Sequence, residues 1–478
     1  MTKQLKIPLY EALMEHLSKS PVSFHVPGHK YGCIFPQGAD IFQQLLKLDA
    51  TELSGLDDLH SPEGVIFEAE SLLAELFQVK KSFFLVNGST VGNLAMIMAV
   101  CPEESHVLVQ RNCHKSVLNA LKMANVKPIF LDPEYDSEWK VASGVSLETV
   151  KEAIHLYPEA KAIILTYPNY YGMVYDLQGV IQHAHQHRIP VLVDEAHGAH
   201  FIASTMFPSS AVQMGADIVV QSAHKTLPAM TMGSFLHVNS DLVNINRLTD
   251  YLQMLQSSSP SYPIMASLDL ARSYLAAYGE KDIRYLSSKI KQFKEELAEI
   301  TAIKVLEYPN SQGDLLKVTI QSTCGLSGFE LQRRLEGVGI YTELADPNNV
   351  LLIMPLLKER QSYPFKDTVI KMKSELASQS IQHTIEELPV TGQKISELAI
   401  PYKEMVHYKE KQVVIADAIN LVCAETVIPY PPGIPLLLRG ERITMEKIKY
   451  LKELLQVGGR FQGGSSLEHG LLKVFLED

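Results

Sequence analysis

The stretch ADIVVQSAHKTL, residues 216–227, decides how the fold is read. Its first half, Ala216 to Val220, is an apolar run interrupted only by Asp217, the pattern of a strand covered on both faces. Its second half places Lys225 just past the strand end. Small and oxidisable residues surround it there, continuing into PAMTMGS, rather than a solvated turn. A surface lysine needs no such setting. A lysine that must shed its proton and react does, because desolvation disfavours the ammonium form.

Runs of the same kind recur on both sides. Ser82–Val86, His106–Val109, Pro128–Leu131, Ala162–Thr166, Pro190–Val193, Ala216–Val220 and Ser234–Val238 read as strands, and the spacing predicts helices over 91–100, 115–124, 147–156, 177–187 and 264–278. Continuous apolar strands alternating with helices predict an α/β fold with a mostly parallel, seven-stranded sheet in a large domain. Ligands on such sheets bind beyond the carboxyl ends of the strands, where Lys225 sits.

Upstream, Leu5, Leu9, Leu13 and Leu17 keep a helical spacing until Pro21, marking an N-terminal arm over residues 1–35. The large domain follows over 36–305. SSSPSYP (257–263) breaks it, and a long helical region then runs to about residue 300. Strands over 315–320 and 350–354 and helices over 327–336 and 366–377 begin a smaller C-terminal α+β domain, 306–478. It ends with a helix, Thr444–Gln456, that carries Met445, Ile448, Leu451 and Leu455 on one face.

The chain has 478 residues, 46% hydrophobic and 20% charged, enough apolar surface for a large core. A net charge of −11 without a basic stripe argues against nucleic acid and suits a cationic small substrate. Five scattered cysteines with no CxxC argue against a disulfide framework and for a reducing compartment. The first residues, MTKQLKIPLYEALMEHL, carry Glu11 and Glu15 and do not read as a signal peptide. No run of about 18 apolar residues exists to cross a membrane. The expectation is a cytoplasmic protein.

Three further segments carry chemistry. In VLVDEAHGAHF (191–201), Asp194 ends an apolar strand, where a carboxylate is costly unless a cation faces it. One βα unit separates it from Lys225, so both side chains can converge on one crevice. His197 and His200 also allow a metal reading with Asp194, but their spacing matches no zinc motif. HAHQHR (183–188) reads as a solvated helix face. In FFLVNGSTVGNLAM (83–96), a strand runs through Gly88, Ser89 and Thr90 into a helix. Hydroxyls and helix-start amides there make either an ordinary cap or a phosphate cradle. The segment lacks both GxxxxGK[ST] and GxGxxG, so it supports neither a nucleoside triphosphate nor a nicotinamide. In VQRNCHKSVLNA (109–120), His114 lies in a loop and can stack on a planar group, and the neighbouring Cys113 is a possible nucleophile. Together a phosphate cradle, a flat stacker, a buried carboxylate and a strand-end lysine describe a pocket for pyridoxal 5'-phosphate. Ser222 and His224 stand where they can add to the phosphate contacts.

SAHKTL around Lys225, DEAH at Asp194, RNCHKS at His114 and NGST at Ser89 resemble the ornithine/lysine/arginine decarboxylases of pyridoxal-phosphate fold type I. HVPGHK (25–30), TELSGLDDLHSPEG (51–64), SSSPSYPIMASLD (257–269) and PYPPGIPLLLRGE (429–441) extend the resemblance over nearly the whole chain. The chain resembles the short bacterial form, since it begins almost at the PGHK arm, where larger members carry a wing domain first. It departs from many members in having Arg439-Gly440-Glu441 where they have Pro-Gly-Glu.

The resemblance implies residue roles. Lys225 binds the coenzyme covalently, Asp194 pairs with its pyridine nitrogen and His114 stacks on its ring. Gly88, Ser89, Thr90, Ser222 and His224 hold its phosphate, and Ala196 packs on the other ring face. His197, His224 and Lys225 are the candidate proton donors. Asp57, Asp58 and Glu425 are the candidates for the distal cation of the substrate. The implied activity is decarboxylation of arginine, lysine or ornithine, with arginine favoured, to a polyamine precursor and CO2. The implied assembly is a homodimer or larger, with the GLDDLH and SSSPSYP loops reaching the partner's site. Alternatives are another reaction of the same coenzyme, by an aminotransferase or lyase, and a catalytically dead regulatory homologue.

Overall fold

All seven apolar runs form strands: β1 (Lys81–Leu85), β2 (His106–Gln110), β3 (Lys127–Leu131), β4 (Ile163–Thr166), β5 (Val191–Asp194), β6 (Ile218–Gln221) and β7 (Ser234–Val238). The computed structural model describes residues 3–309, 312–377, 379, 394–429, 435–456 and 458–476, so residues 430–434 of the proline-rich stretch lie outside the described residues. The chain divides into two units. One is built from residues 1–100, 190–205 and 209–279, the other from 101–189, 206–208 and 280–478. The fold class is the expected mixed α/β one.

In the first unit the strand order is β1-β7-β6-β5. β5 and β6 are parallel neighbours, with Leu192 opposite Ile218 and Asp194 opposite Val220, so the residues that follow both strands emerge side by side. β7 runs antiparallel to β6 and to β1. The expected helix between β5 and β6 is absent: the described chain over 195–217 holds only a 3-10 turn, Phe201–Ala203. Gly198, Pro208 and Gly215 break any longer helical run there.

Three helices of this unit matter for the site. The first, α1 (Pro8–Ser18), has proline in its first turn and buries Leu9 and Leu13. The second, α2 (Val65–Phe77), buries Ile66, Ala69, Leu72, Leu73 and Phe77. The third, α3 (Gly88–Val100), lies against the sheet at Gly92. A Cβ at that position would stand 2.8 Å from both Leu85 Cδ1 and Val220 Cγ1, so only glycine permits the approach.

The N-terminal segment is tied down by a buried ion pair on the helix Tyr262–Ala276. Arg272 is fully buried and reaches Asp269 at 2.9 Å. Its guanidinium also donates to the carbonyls of Gln4 and Lys6, while Asp269 Oδ2 accepts from the Leu9 amide in the first turn of α1. Removing one member of such a pair strands the other in the interior. Arg272→Ala is therefore expected to destabilise the protein by about 3–5 kcal/mol. Urea denaturation measures this, and cleavage within residues 3–20 at protease levels that spare the wild type would localise the damage.

The second unit carries β4-β2-β3, all parallel, with Ile395–Glu397 added antiparallel to β3. That three-residue edge strand was not predicted, because none of its residues is buried and no apolar run marks it. The α+β region has an antiparallel sheet, in the order Ile303–Val305, Lys317–Ser322, Asn349–Ile353, Leu344–Ala345. The helix Gly328–Gly337 opens on a Ser327/Glu330 capping box. Further on, Ile448 and Leu451 of the helix Met445–Gln456 pack with Ile415, Val427, Leu437 and Leu472 in a separate core.

Candidate active site

Three of the selected segments, 83–96, 191–201 and 216–227, meet within the first unit. β5 ends on Asp194, whose carboxylate is buried. Asn93 Nδ2 of α3 donates to its Oδ2 at 2.8 Å and the Ala196 amide donates to its Oδ1 at 3.2 Å. Both partners are neutral, and Asp194 makes no salt bridge among the described residues. A buried anion held only by neutral donors is costly, and a protonated ring nitrogen is the kind of cation that would relieve the cost.

β6 ends at Gln221, and the chain turns at Ser222, whose amide reaches the Ala196 carbonyl at 3.3 Å. The short helix Ala223–Thr226 then presents Lys225. Lys225 Nζ lies 3.0 Å from His197 Nε2, and His197 is buried. In this contact His197 Nε2 either accepts from the lysine or donates to its neutral amine, according to the tautomer.

β1 runs through Asn87 into Gly88, whose φ of +75° suits glycine, and on into α3. Ser222 Oγ donates to Ser89 Oγ at 2.8 Å, bringing two hydroxyls to the start of α3. The Gly88 amide is committed to the Met232 carbonyl at 2.9 Å, so the cradle rests on the first-turn amides of Ser89 and Thr90. His224 Nδ1 donates to the Gly233 carbonyl at 2.9 Å. Its Nε2 can therefore donate to a phosphate only when the ring is charged. The buried anion and the two-hydroxyl helix start fit the two ends of pyridoxal phosphate.

The loops assigned to the partner's site are also placed. His60 Nε2 donates to the Ser257 carbonyl at 2.8 Å, and the Ser257 amide donates to Asn87 Oδ1 at 3.3 Å. GLDDLH and SSSPSYP thus join each other and the turn of this chain's own cradle. Asp57 accepts from five backbone amides, those of Asp58, Glu63, Gly64, Ile66 and Phe67, at 2.8–3.2 Å. Burial raises its pKa, but these amides outweigh burial and hold it below the usual carboxylate range. Its lone pairs are spent on the start of α2. Asp58 uses one oxygen, Oδ1, to accept from the His60 amide at 2.8 Å.

The remaining candidates lie in the second unit. His114 caps the helix Lys115–Met123, its Nδ1 accepting from the Ser116 amide at 3.2 Å. Cys113 is buried, which removes the access a nucleophile needs. Glu425 Oε1 accepts from the Lys473 amide at 2.8 Å. Arg439, the residue that departs from Pro-Gly-Glu, donates to the Ala424 carbonyl, pairs with Glu410 at 2.7 Å and stacks over Phe475. Its neighbour Glu441 is buried and closed on Arg111 at 2.6 and 2.7 Å and on Lys447 at 2.5 Å. The sequence reading assigned no role to Asn93, Glu195 or Arg111. Asn93 had one visible signal, a polar residue in the otherwise apolar helix GNLAMIMAV.

Comparison with known proteins places the chain in a family. A family model described as Orn/Lys/Arg decarboxylase, major domain, matches residues 7–314, and its companion, the C-terminal domain, matches residues 380–476. The chain is 46% identical over 479 residues to the uncharacterized protein YaaO of Bacillus subtilis, covering 99% of each. It is 34% identical over 485 residues to an arginine decarboxylase of the same organism, again covering 99% of each. Among solved structures it superposes on the Escherichia coli constitutive lysine decarboxylase with a TM-score of 0.80 at 20% identity, over 99% of this chain and 82% of that one. Fold, strand-end lysine and full-length similarity lead to one family, and the chain belongs to the Orn/Lys/Arg decarboxylases, a family of amino-acid decarboxylases.

Proposed function

We propose that the chain is a pyridoxal-phosphate-dependent decarboxylase of a basic amino acid, with arginine the favoured substrate. The observation that carries the reading is the buried Asp194, without a salt bridge, beside a strand-end lysine in contact with a buried histidine. Bound there, the coenzyme would supply the sink for the electron pair released as the Cα–carboxylate bond breaks. Asp194 would keep the ring nitrogen protonated, and Asn93 and the Ala196 amide orient its oxygens. Ser89, Thr90 and Ser222 would hold the phosphate, with His224 adding to them when charged. His114 would stack on the ring and Ala196 would pack on its other face. Lys225 would carry the coenzyme, and its contact with His197 gives that pair a route to return a proton to Cα, with His224 the remaining candidate.

Arginine is favoured by the full-length similarity to an arginine decarboxylase. Glu425 and Asp58, each with one oxygen still unspent in the hydrogen bonds above, support recognition of the distal cation better than Asp57. We place the enzyme in the cytoplasm as a homodimer or larger. The exposed Phe24, Ile41 and Val22 of the N-terminal segment, at 95, 91 and 80% exposure, suit burial against a second copy.

The test is to purify the protein with pyridoxal phosphate and supply arginine, lysine and ornithine in parallel. The expected result is CO2 with agmatine as the main amine. A keto acid in place of CO2 would indicate the aminotransferase alternative, and no turnover of any of the three the regulatory one. Light scattering on the same sample reads the oligomeric state.

A further inference from the structure

We infer that Glu195 is a positioning residue of this site: it anchors a buried side-chain ladder, Glu195–Gln221–His237–Ser82, that holds the turn Asp194–His197 from the sheet face opposite Asn93. Consecutive residues of a strand point to opposite faces. The Glu195 amide still bonds the Val220 carbonyl, so the β5–β6 pairing continues through it. Asp194 meets α3 through Asn93, and Val220 meets α3 at Gly92, so Glu195 and Gln221 point to the other face. There Glu195 Oε2 accepts from Gln221 Nε2 at 2.6 Å and from Ser210 Oγ at 2.7 Å, and Oε1 accepts from the Ala211 amide at 2.6 Å. Gln221 Oε1 is 3.1 Å from His237 Nε2, and His237 Nδ1 is 2.8 Å from Ser82 Oγ. The four side chains cross β5, β6, β7 and β1, and all are buried. Phe77 of α2 stacks on His237 with ring centroids 4.2 Å apart.

The ladder has a direction, and the carboxylate sets it. A carboxylate only accepts, so the Gln221 amide must turn its N–H groups toward Glu195 and its oxygen toward His237. His237 then carries its proton on Nε2 and accepts from Ser82 on Nδ1. Burial pushes the His237 imidazole down to about 3, so the ring is neutral in either arrangement. Burial also pushes the Glu195 carboxyl up to about 7, against the bonds from Ala211, Gln221 and Ser210. Asp194 and His197 lie on the same turn as Glu195 and His237 lies beyond Gln221, and no charged side chain contributes to the displacement. When Glu195 takes a proton, its O–H donates to Gln221 Oε1. The amide turns over, His237 moves its proton to Nδ1 and donates to Ser82, and every bond survives with its sense reversed. Glu195→Gln fixes the reversed sense at all pH values.

The effect on the coenzyme rests on the function proposed above, while the ladder itself does not. The experiment follows the His237 imidazole by 15N NMR in wild type and Glu195→Gln, without coenzyme, from pH 5.5 to 8.5, with His237→Asn to assign the signal. The wild type is expected to pass from the Nδ1–H to the Nε2–H tautomer through neutrality, and Glu195→Gln to stay Nδ1–H. The wild-type titration needs no variant to fold, and a single tautomer throughout it overturns the inference. With coenzyme and substrate, Glu195→Gln is expected to keep KM within about twofold and to lower kcat on the order of 10-fold, with a flattened pH profile. An unchanged kcat and pH profile overturns the positioning role. Failure of both proteins to bind coenzyme overturns the proposed function, and the tautomer still decides the ladder.

Discussion

Lys225→Ala is expected to lower kcat for decarboxylation by about 10^4-fold or more and to abolish covalent retention of the coenzyme. Lys225 is the amine at the end of β6, and the imidazole of His197, 3.0 Å from it, is a poor substitute as a carrier. Alanine leaves no nucleophile at that point and takes a hydrogen-bond partner from His197. Lys225→Arg should do no better, since a guanidinium stays protonated and cannot attack an aldehyde. Stability should change far less than activity, because the Lys225 side chain is only half-buried. Two measurements check this: steady-state CO2 release, and mass analysis of the peptide holding position 225 after borohydride reduction. Activity within tenfold of wild type would sink the assignment.

Asp194→Asn is the second large effect, a loss of on the order of 10^2–10^3-fold in kcat. The substitution keeps the shape of the side chain and the acceptor toward Asn93, and removes the charge together with the acceptor that faces the Ala196 amide. What is lost is the anion that keeps a ring nitrogen protonated. The apo protein should respond in the opposite direction. A buried carboxylate that meets only neutral donors is a liability until a cation arrives. Apo Asp194→Asn should therefore unfold at a urea midpoint equal to or above that of the apo wild type, and coenzyme should stabilise it less. A variant that is both inactive and strongly destabilised without coenzyme would show that Asp194 is structural.

The strands were legible because each is an apolar run with turn residues at its ends, and that alone specified the α/β class. Asp194 and Lys225 were legible because a charge at the end of such a run is expensive and demands a reason. Glu195 was not, because in DEAH it looks like a solvated carboxylate. Its burial depends on Ser210 and Gln221, which arrive from other stretches of the chain. Asp57 shows the converse. Its charge and its family motif suggested a ligand for a cation, but five amides from the turn over 58–67 consume it, and that backbone path is not written in residue types. The grip of Arg272 on the N-terminal segment was hidden for the same reason, since its acceptors are main-chain carbonyls.

The discontinuous first unit has a consequence for how the protein is made. Its opening hundred residues emerge from the ribosome long before their partners: β1 pairs with β7, and the segment leading into α1 is gripped by Arg272. Residues 101–279 must be synthesised first, which at about 5–20 residues per second takes roughly 10–40 s. Through that interval α1, α2 and β1 have only one another and α3 to pack on, without β7 or the helix that carries Arg272, so the nascent chain is open to chaperone capture until residue 279 is out.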